Sequence, residues 1–160
     1  DCTNTTQAVG GEPGDPAGVG KYLPSIAMAH GIPYVATASV ADLHDLEAKV
    51  TKAMTLYGAR YIHVHVPCPL GWKSNPAQTI KVARLAVESG LFPLFEAERG
   101  RVTGRTTIRK RVPVEEYLLL QGRFRHLFHP RDEQALQNIQ AIADANIHTY
   151  QLIEGVPSPK

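Results

Sequence analysis

Cysteine is nearly missing from this chain. Its two thiols, Cys2 and Cys68, cannot make a disulfide scaffold, which fits a reducing cytosol. An excess of one charge sign is missing too. Seventeen basic against fifteen acidic residues leave +2, so no long-range field argues for nucleic acid or a membrane as partner. No apolar run approaches the roughly 18–20 residues of a membrane span, and the polar N-terminus carries no basic-then-apolar signal pattern. Internal repeats and low-complexity tracts are absent as well. The first residue is Asp rather than Met, which hints at a fragment or a processed chain. What remains is ordinary globular composition, 43% hydrophobic and 20% charged, in a length that suits one well-buried domain.

The stretch Tyr61-Ile-His-Val-His-Val-Pro-Cys-Pro-Leu-Gly-Trp72 stands out. It opens as a strand, with Ile62, Val64 and Val66 on one face and Tyr61, His63 and His65 on the other. Pro67 and Pro69 cannot continue a ladder, so Cys68 is held between them at the tip of a buried strand. Three readings stay open for it: an inert buried thiol, a nucleophile, or a metal ligand. A nucleophile needs a base, and His63 and His65 lie too far back along a strand rising roughly 3.3 Å per residue. A zinc site of His63, His65 and Cys68 is the remaining metal alternative.

Residues 1–22 read as an extended loop punctuated by Gly and Pro. Its end, Gly14 to Tyr22, has the outline of a phosphate-binding P-loop. It fails because Asp15 stands where the first Gly is required and Tyr22 where Ser or Thr would hold magnesium. A short helix is predicted from Leu23 to His30, then a strand at 34–38. Ser39 or Asp42 caps a helix over 41–57 whose inner face is Leu43, Leu46, Val50, Ala53, Met54 and Tyr57, with Lys49 and Lys52 off that face. With the Tyr61–Val66 strand this makes a βαβ unit with parallel strands. Ligands of such sheets bind at the strands' carboxyl ends, where Cys68 sits. A helix over 78–89 follows, with Ile80, Ala83, Arg84 and Val87 inward. A hairpin of 92–96 and 101–108 comes next and carries the basic cluster Arg105, Arg109, Lys110 and Arg111, read as edge protection, with contact to an acidic partner as the alternative. Glu115 and Glu116 are helix-start acids. A last long helix runs from Pro130–Glu133 to about Ile153, and its modest inner face suits packing on a partner. The fold class is therefore α/β, a mostly parallel sheet flanked by helices with a small hairpin and C-terminal helices. Residues 1–98 form the α/β part and 99–160 a hairpin and helical extension for subunit packing.

Several longer phrases point further: Ile26-Ala-Met-Ala-His-Gly-Ile-Pro-Tyr-Val-Ala-Thr-Ala-Ser39, His65 to Trp72, Ala83-Arg-Leu-Ala-Val-Glu-Ser-Gly-Leu-Phe-Pro-Leu-Phe-Glu96, Pro113-Val-Glu-Glu-Tyr117 and Gln121-Gly-Arg-Phe-Arg-His-Leu127. In this order and spacing they resemble the thiamine-diphosphate-binding beta subunit of the pyruvate:ferredoxin oxidoreductases, or pyruvate synthases, over nearly the whole chain. The resemblance implies the C-terminal part of a thiamine-diphosphate-binding fold. It also implies oxidative decarboxylation of a 2-oxoacid, with the acyl group passed to coenzyme A and electrons passed through [4Fe–4S] clusters to ferredoxin, in a cytoplasmic complex of several subunits. The cofactors so implied are thiamine diphosphate, Mg2+ and a [4Fe–4S] cluster. Cys68 occupies the place of the last of the cluster's four cysteine ligands. Asn4 and Thr5 resemble the family's Asn-Thr-Gly element by the substrate and thiamine, and Asn4 takes the catalytic place. Thr6 stands where the family has Gly, and Gln7 arrives one position early. The Gly-Asp-Gly motif and the other three cluster cysteines belong upstream of Asn4, so this stretch alone is not expected to hold a whole cluster or thiamine tightly. Two alternatives accompany this expectation: a non-catalytic assembly module of the same fold, and a relative acting on another 2-oxoacid or on oxalate.

Overall fold

The first strand of the sheet, β1 (Tyr34–Ser39), has no solvent-exposed residue. Tyr34-Val-Ala-Thr-Ala-Ser joins β-branched residues to small ones, so the strand can be covered closely on both faces. The computed structural model describes residues 22–154. Within them a four-stranded sheet has the order β2-β1-β3-β4. β2 (Arg60–His65) runs parallel to β1, in register from Tyr34 opposite Arg60 to Ser39 opposite His65. β3 (Phe95–Glu98) is antiparallel to β1 and forms a hairpin with β4 (Arg101–Arg105). The predicted parallel unit and hairpin both form. β2 is an edge strand among the described residues, however, and Val64 and Val66 are 36% and 56% exposed. Cys68 thus follows a half-covered strand, not a buried one, because no described element lies on the outer side of β2.

Helix α1 (Leu23–Ala29) covers one face of β1. Ala27 and Met28 join Val35, Phe95, Ala97 and Tyr150 there. Helix α2 (Leu43–Thr55) covers the other, and Asp42 caps it by accepting from the Asp45 N–H. Its orientation departs from the sequence reading. Leu43, Val50 and Met54, with Tyr57 beyond the helix, are exposed, while Ala53 and Lys49 are buried. The side chains of β1 decide this. Ala53 fits closely over Tyr34 and Ala36, and Lys49 reaches inward to the Thr37 carbonyl at 2.9 Å. A strand surface with two alanines takes a small residue where the helical periodicity had suggested large ones.

β2 leads into a single helical turn, α3 (Pro69–Trp72), a 3-10 turn at Pro76–Gln78 and then α4 (Thr79–Glu88). The buried stripe of α4 is Val82, Ala83, Leu85 and Ala86, whereas Ile80 is half exposed. The inward direction is therefore rotated from the predicted Ile80–Val87 stripe. That stripe packs with α5 (Val114–Leu119), a 3-10 segment (Gly122–Leu127) and α6 (Glu133–Tyr150) in the largest hydrophobic cluster. Leu136, Ile139, Ala143 and Ile147 of α6 are all buried. The last helix therefore packs on this chain's own core. Gly90, at a φ of +84°, lets α4 end against α6, for a Cβ there would lie 2.7 Å from Ile147 Cγ1.

Candidate functional site

At the end of β2, Pro67 is buried and Cys68 is exposed. The two prolines remove backbone donors on either side of the cysteine, and Pro69 starts the α3 turn where a missing N–H costs nothing. Cys68 keeps an extended backbone, and its carbonyl accepts the Trp72 N–H at 2.9 Å. Its thiol does not cap the helix, so the sulfur remains available. A Cβ on Gly71 would stand 3.4 Å from Sγ, so the glycine leaves one side of the sulfur open. The turn closes at Lys73, whose φ of 53° is left-handed.

Trp72 is buried beneath this turn and organises what surrounds it. The guanidinium of Arg123 lies 4.0 Å from the Trp72 ring centre and 4.5 Å from that of Phe124. Arg123 Nε donates to Gln121 Oε1 at 2.9 Å, and Nη2 donates to Tyr117 Oη at 3.3 Å. Gln121 in turn donates to the Tyr117 carbonyl at 2.7 Å. Burial lowers the Arg123 pKa from its ordinary value, partly offset by Tyr117 and by Cys68, and a guanidinium stays charged throughout. A fixed positive charge therefore stands in the neighbourhood of the thiol. The Gln121–Leu127 phrase was legible as a mixture of aromatics and cations, but Arg123's place over Trp72 was not.

His63 and His65 share a face of β2, as predicted, and pack into aromatic rings. His65 lies 5.6 Å from Trp72 and 4.8 Å from Phe92, and His63 lies 5.7 Å from Phe92. Burial, then the charges of Arg123 and His63, push His65 down to about 4. Burial also lowers His63. The Nδ1 atoms of both are buried without a hydrogen-bond partner. Both imidazoles are thus neutral near neutral pH, and neither is hydrogen-bonded to the thiol. Among the described residues no three His, Cys, Asp or Glu side chains gather to hold a metal ion. His63, His65 and Cys68 are thus not gathered as a three-ligand set. Cys68 fits a cluster only as a contributor of one thiolate, being exposed and held on a short rigid turn. Asn4, Thr5, Cys2 and residues 14–21 of the P-loop-like segment lie outside the described residues.

A second polar group was not anticipated. Lys49 Nζ lies 2.6 Å from Asp45 Oδ2, with side chains 4% and 15% exposed. Asp45 Oδ1 accepts from Thr106 Oγ1 at 2.9 Å. The i,i+4 acid–base spacing was visible, but Lys49 had been placed off the inner face. This pair ties α2 to β1 and to the residue following β4.

No family model matches the chain. It is 45% identical over 133 residues to the pyruvate synthase subunit PorB of Methanosarcina barkeri, an overlap of 82% of this chain and 45% of that one. It is 49% identical over 127 residues to the pyruvate synthase subunit PorB of Methanothermobacter thermautotrophicus, covering 78% of this chain and 42% of the relative. The ketoisovalerate oxidoreductase subunit VorB of Pyrococcus horikoshii is 42% identical over 119 residues, 73% of this chain and 38% of that protein. The chain spans less than half the length of these curated relatives.

Proposed function

The chain belongs to the family of 2-oxoacid:ferredoxin oxidoreductase beta subunits, and from that membership we propose that it is part of an enzyme oxidising a 2-oxoacid to acyl-coenzyme A and carbon dioxide. Pyruvate is the proposed substrate. The pyruvate synthase relatives cited reach 45% and 49% identity, against 42% for the ketoisovalerate relative. Thiamine diphosphate with Mg2+ would supply the carbanion stabilisation, and a [4Fe–4S] cluster would carry electrons towards ferredoxin.

Within this chain, Cys68 is assigned one cluster thiolate, Asn4 a place beside the reacting carbon, and Thr5 a contact to the cofactor. The exposure of Cys68, between two prolines with Gly71 leaving its sulfur open, carries the cluster assignment. Residues 1–98 are proposed as the thiamine-side part and 99–160 as the part that packs on other subunits. The exposed Leu43, Val50, Met54 and Tyr57 belong to the first of these parts and support subunit contact there as well, since monomers rarely leave a large apolar patch in water. A cytoplasmic complex is proposed. Among the described residues no helix is long and apolar enough to cross a membrane.

The test is Cys68→Ser in the complete complex, purified anaerobically. Iron content and the cluster's visible absorption should both fall to the level of a complex missing one cluster. Unchanged iron content and an unchanged spectrum would remove Cys68 from the cluster.

A further inference from the structure

Beyond the thiol, Gly71, Lys73, Gly122, Arg123, Arg125, His126 and His129 line an open cleft of about 670 Å³. Two segments far apart in sequence build it. The Gly122 N–H donates to the Lys73 carbonyl at 3.1 Å. A Cβ on Gly122 would lie 2.8 Å from Lys73 Cβ, so only glycine lets the two segments meet this closely. The cleft walls are therefore fixed by backbone contact. Arg123 is fixed as well, by Trp72, Phe124, Gln121 and Tyr117.

The charge of this cleft is out of proportion to that of the chain. Lys73, Arg123 and Arg125 place three positive charges here beside two imidazoles, with no carboxylate among the lining residues. The whole chain carries only +2. Nearby, Arg131 is paired with both Glu115 and Glu133. By contrast, the side chains of Lys73, Arg125, His126 and His129 have no hydrogen-bond or ion-pair partner among the described residues. Like charges gathered in a concave site repel one another unless an anion joins them. The volume suits a small organic ligand, and a planar guanidinium held in place suits the oxygens of a phosphoryl group.

We propose that this cleft binds a phosphate-bearing small molecule, its phosphoryl oxygens held by Arg123, Arg125 and Lys73 with His126 and His129 at the rim. The assignment does not rest on the role given to Cys68. Either a free oligophosphate or a nucleotide presents this chemistry.

The test uses the complete complex with thiamine diphosphate and coenzyme A both bound, so that the phosphate sites of the cofactor and of the acyl acceptor are filled. Calorimetric titration with inorganic pyrophosphate, and separately with ADP, should reveal saturable binding. Lys73→Gln and Arg125→Gln, singly and together, alter exposed side chains without partners, so their thermal unfolding should match the parent. The double variant should bind both probes at least tenfold more weakly. Tighter binding of ADP than of pyrophosphate would identify a nucleotide site, and equal affinity an oligophosphate site. The proposal is overturned if neither probe saturates, or if the double variant binds them as the parent does. It is equally overturned if the double variant sheds a subunit, for the cleft is then a protein interface.

Discussion

Replacing Lys49 by Met removes a charge from a place where its partner cannot easily be left alone. The lysine side chain is 4% exposed and that of Asp45 is 15% exposed. Lys49→Met keeps most of the apolar stem but strands the Asp45 carboxylate, which retains only the Thr106 hydroxyl and the helix N-cap region around it. The Thr37 carbonyl loses a donor at the same time. Breaking a buried pair from one side costs about 3–5 kcal/mol, equivalent to a fall of roughly 10 °C in Tm for a domain of this size. Urea unfolding followed by circular dichroism measures it. The double variant Lys49→Met, Asp45→Leu should recover much of the loss, because neither charge is then left uncompensated. A single variant within about 1 kcal/mol of the parent would refute the reasoning, since Lys49 would then be hydrated and free to leave the pair.

His65 makes stability depend on pH. Its folded pKa of about 4 lies below the ordinary 6.5, so the unfolded chain binds the proton first as pH falls. The folded state should be unaffected above pH 6.5 and lose up to about 3 kcal/mol between there and pH 4; partial solvent access to the residue makes that an upper bound. His65→Phe should flatten this portion of the stability profile relative to the parent, and an identical slope would exclude His65 as its source. Gly90→Ala meets both a left-handed backbone and Ile147, and should cost about 3 kcal/mol. Adding Ile147→Val should return part of the steric share in urea unfolding, and a neutral Gly90→Ala would contradict the close approach of α4 and α6.

The strands and the hairpin were legible because β-branched runs are bounded by Gly and Pro, which act within a few residues. The cap at Asp42 was legible for the same reason. The buried sides of α2 and α4 were less so. Leu43, Val50 and Met54 outweigh Ala53 in any hydrophobicity pattern, yet the close approach to Tyr34 and Ala36 rewards the alanine. Lys49 reads as a solvated cation until the Thr37 carbonyl and Asp45 are seen beside it. The expectation that α6 needs a partner followed from its modest apolar face, which the clustering with α4 and α5 completes.

Local sequence by itself determined that Cys68 ends a strand, that prolines hold it there, and that the chain is kin to the 2-oxoacid oxidoreductase subunits. These are matters of covalent geometry and of matched phrases, and they need no folded partner. Only the tertiary structure decided that Arg123 rests on Trp72, that His65 is held neutral, and that Lys73, Arg125, His126 and His129 face one cleft. Charge interaction and desolvation depend on distance in space rather than along the chain. The same Arg123 could not be told from a solvated one until the fold had brought it over the turn that carries Cys68.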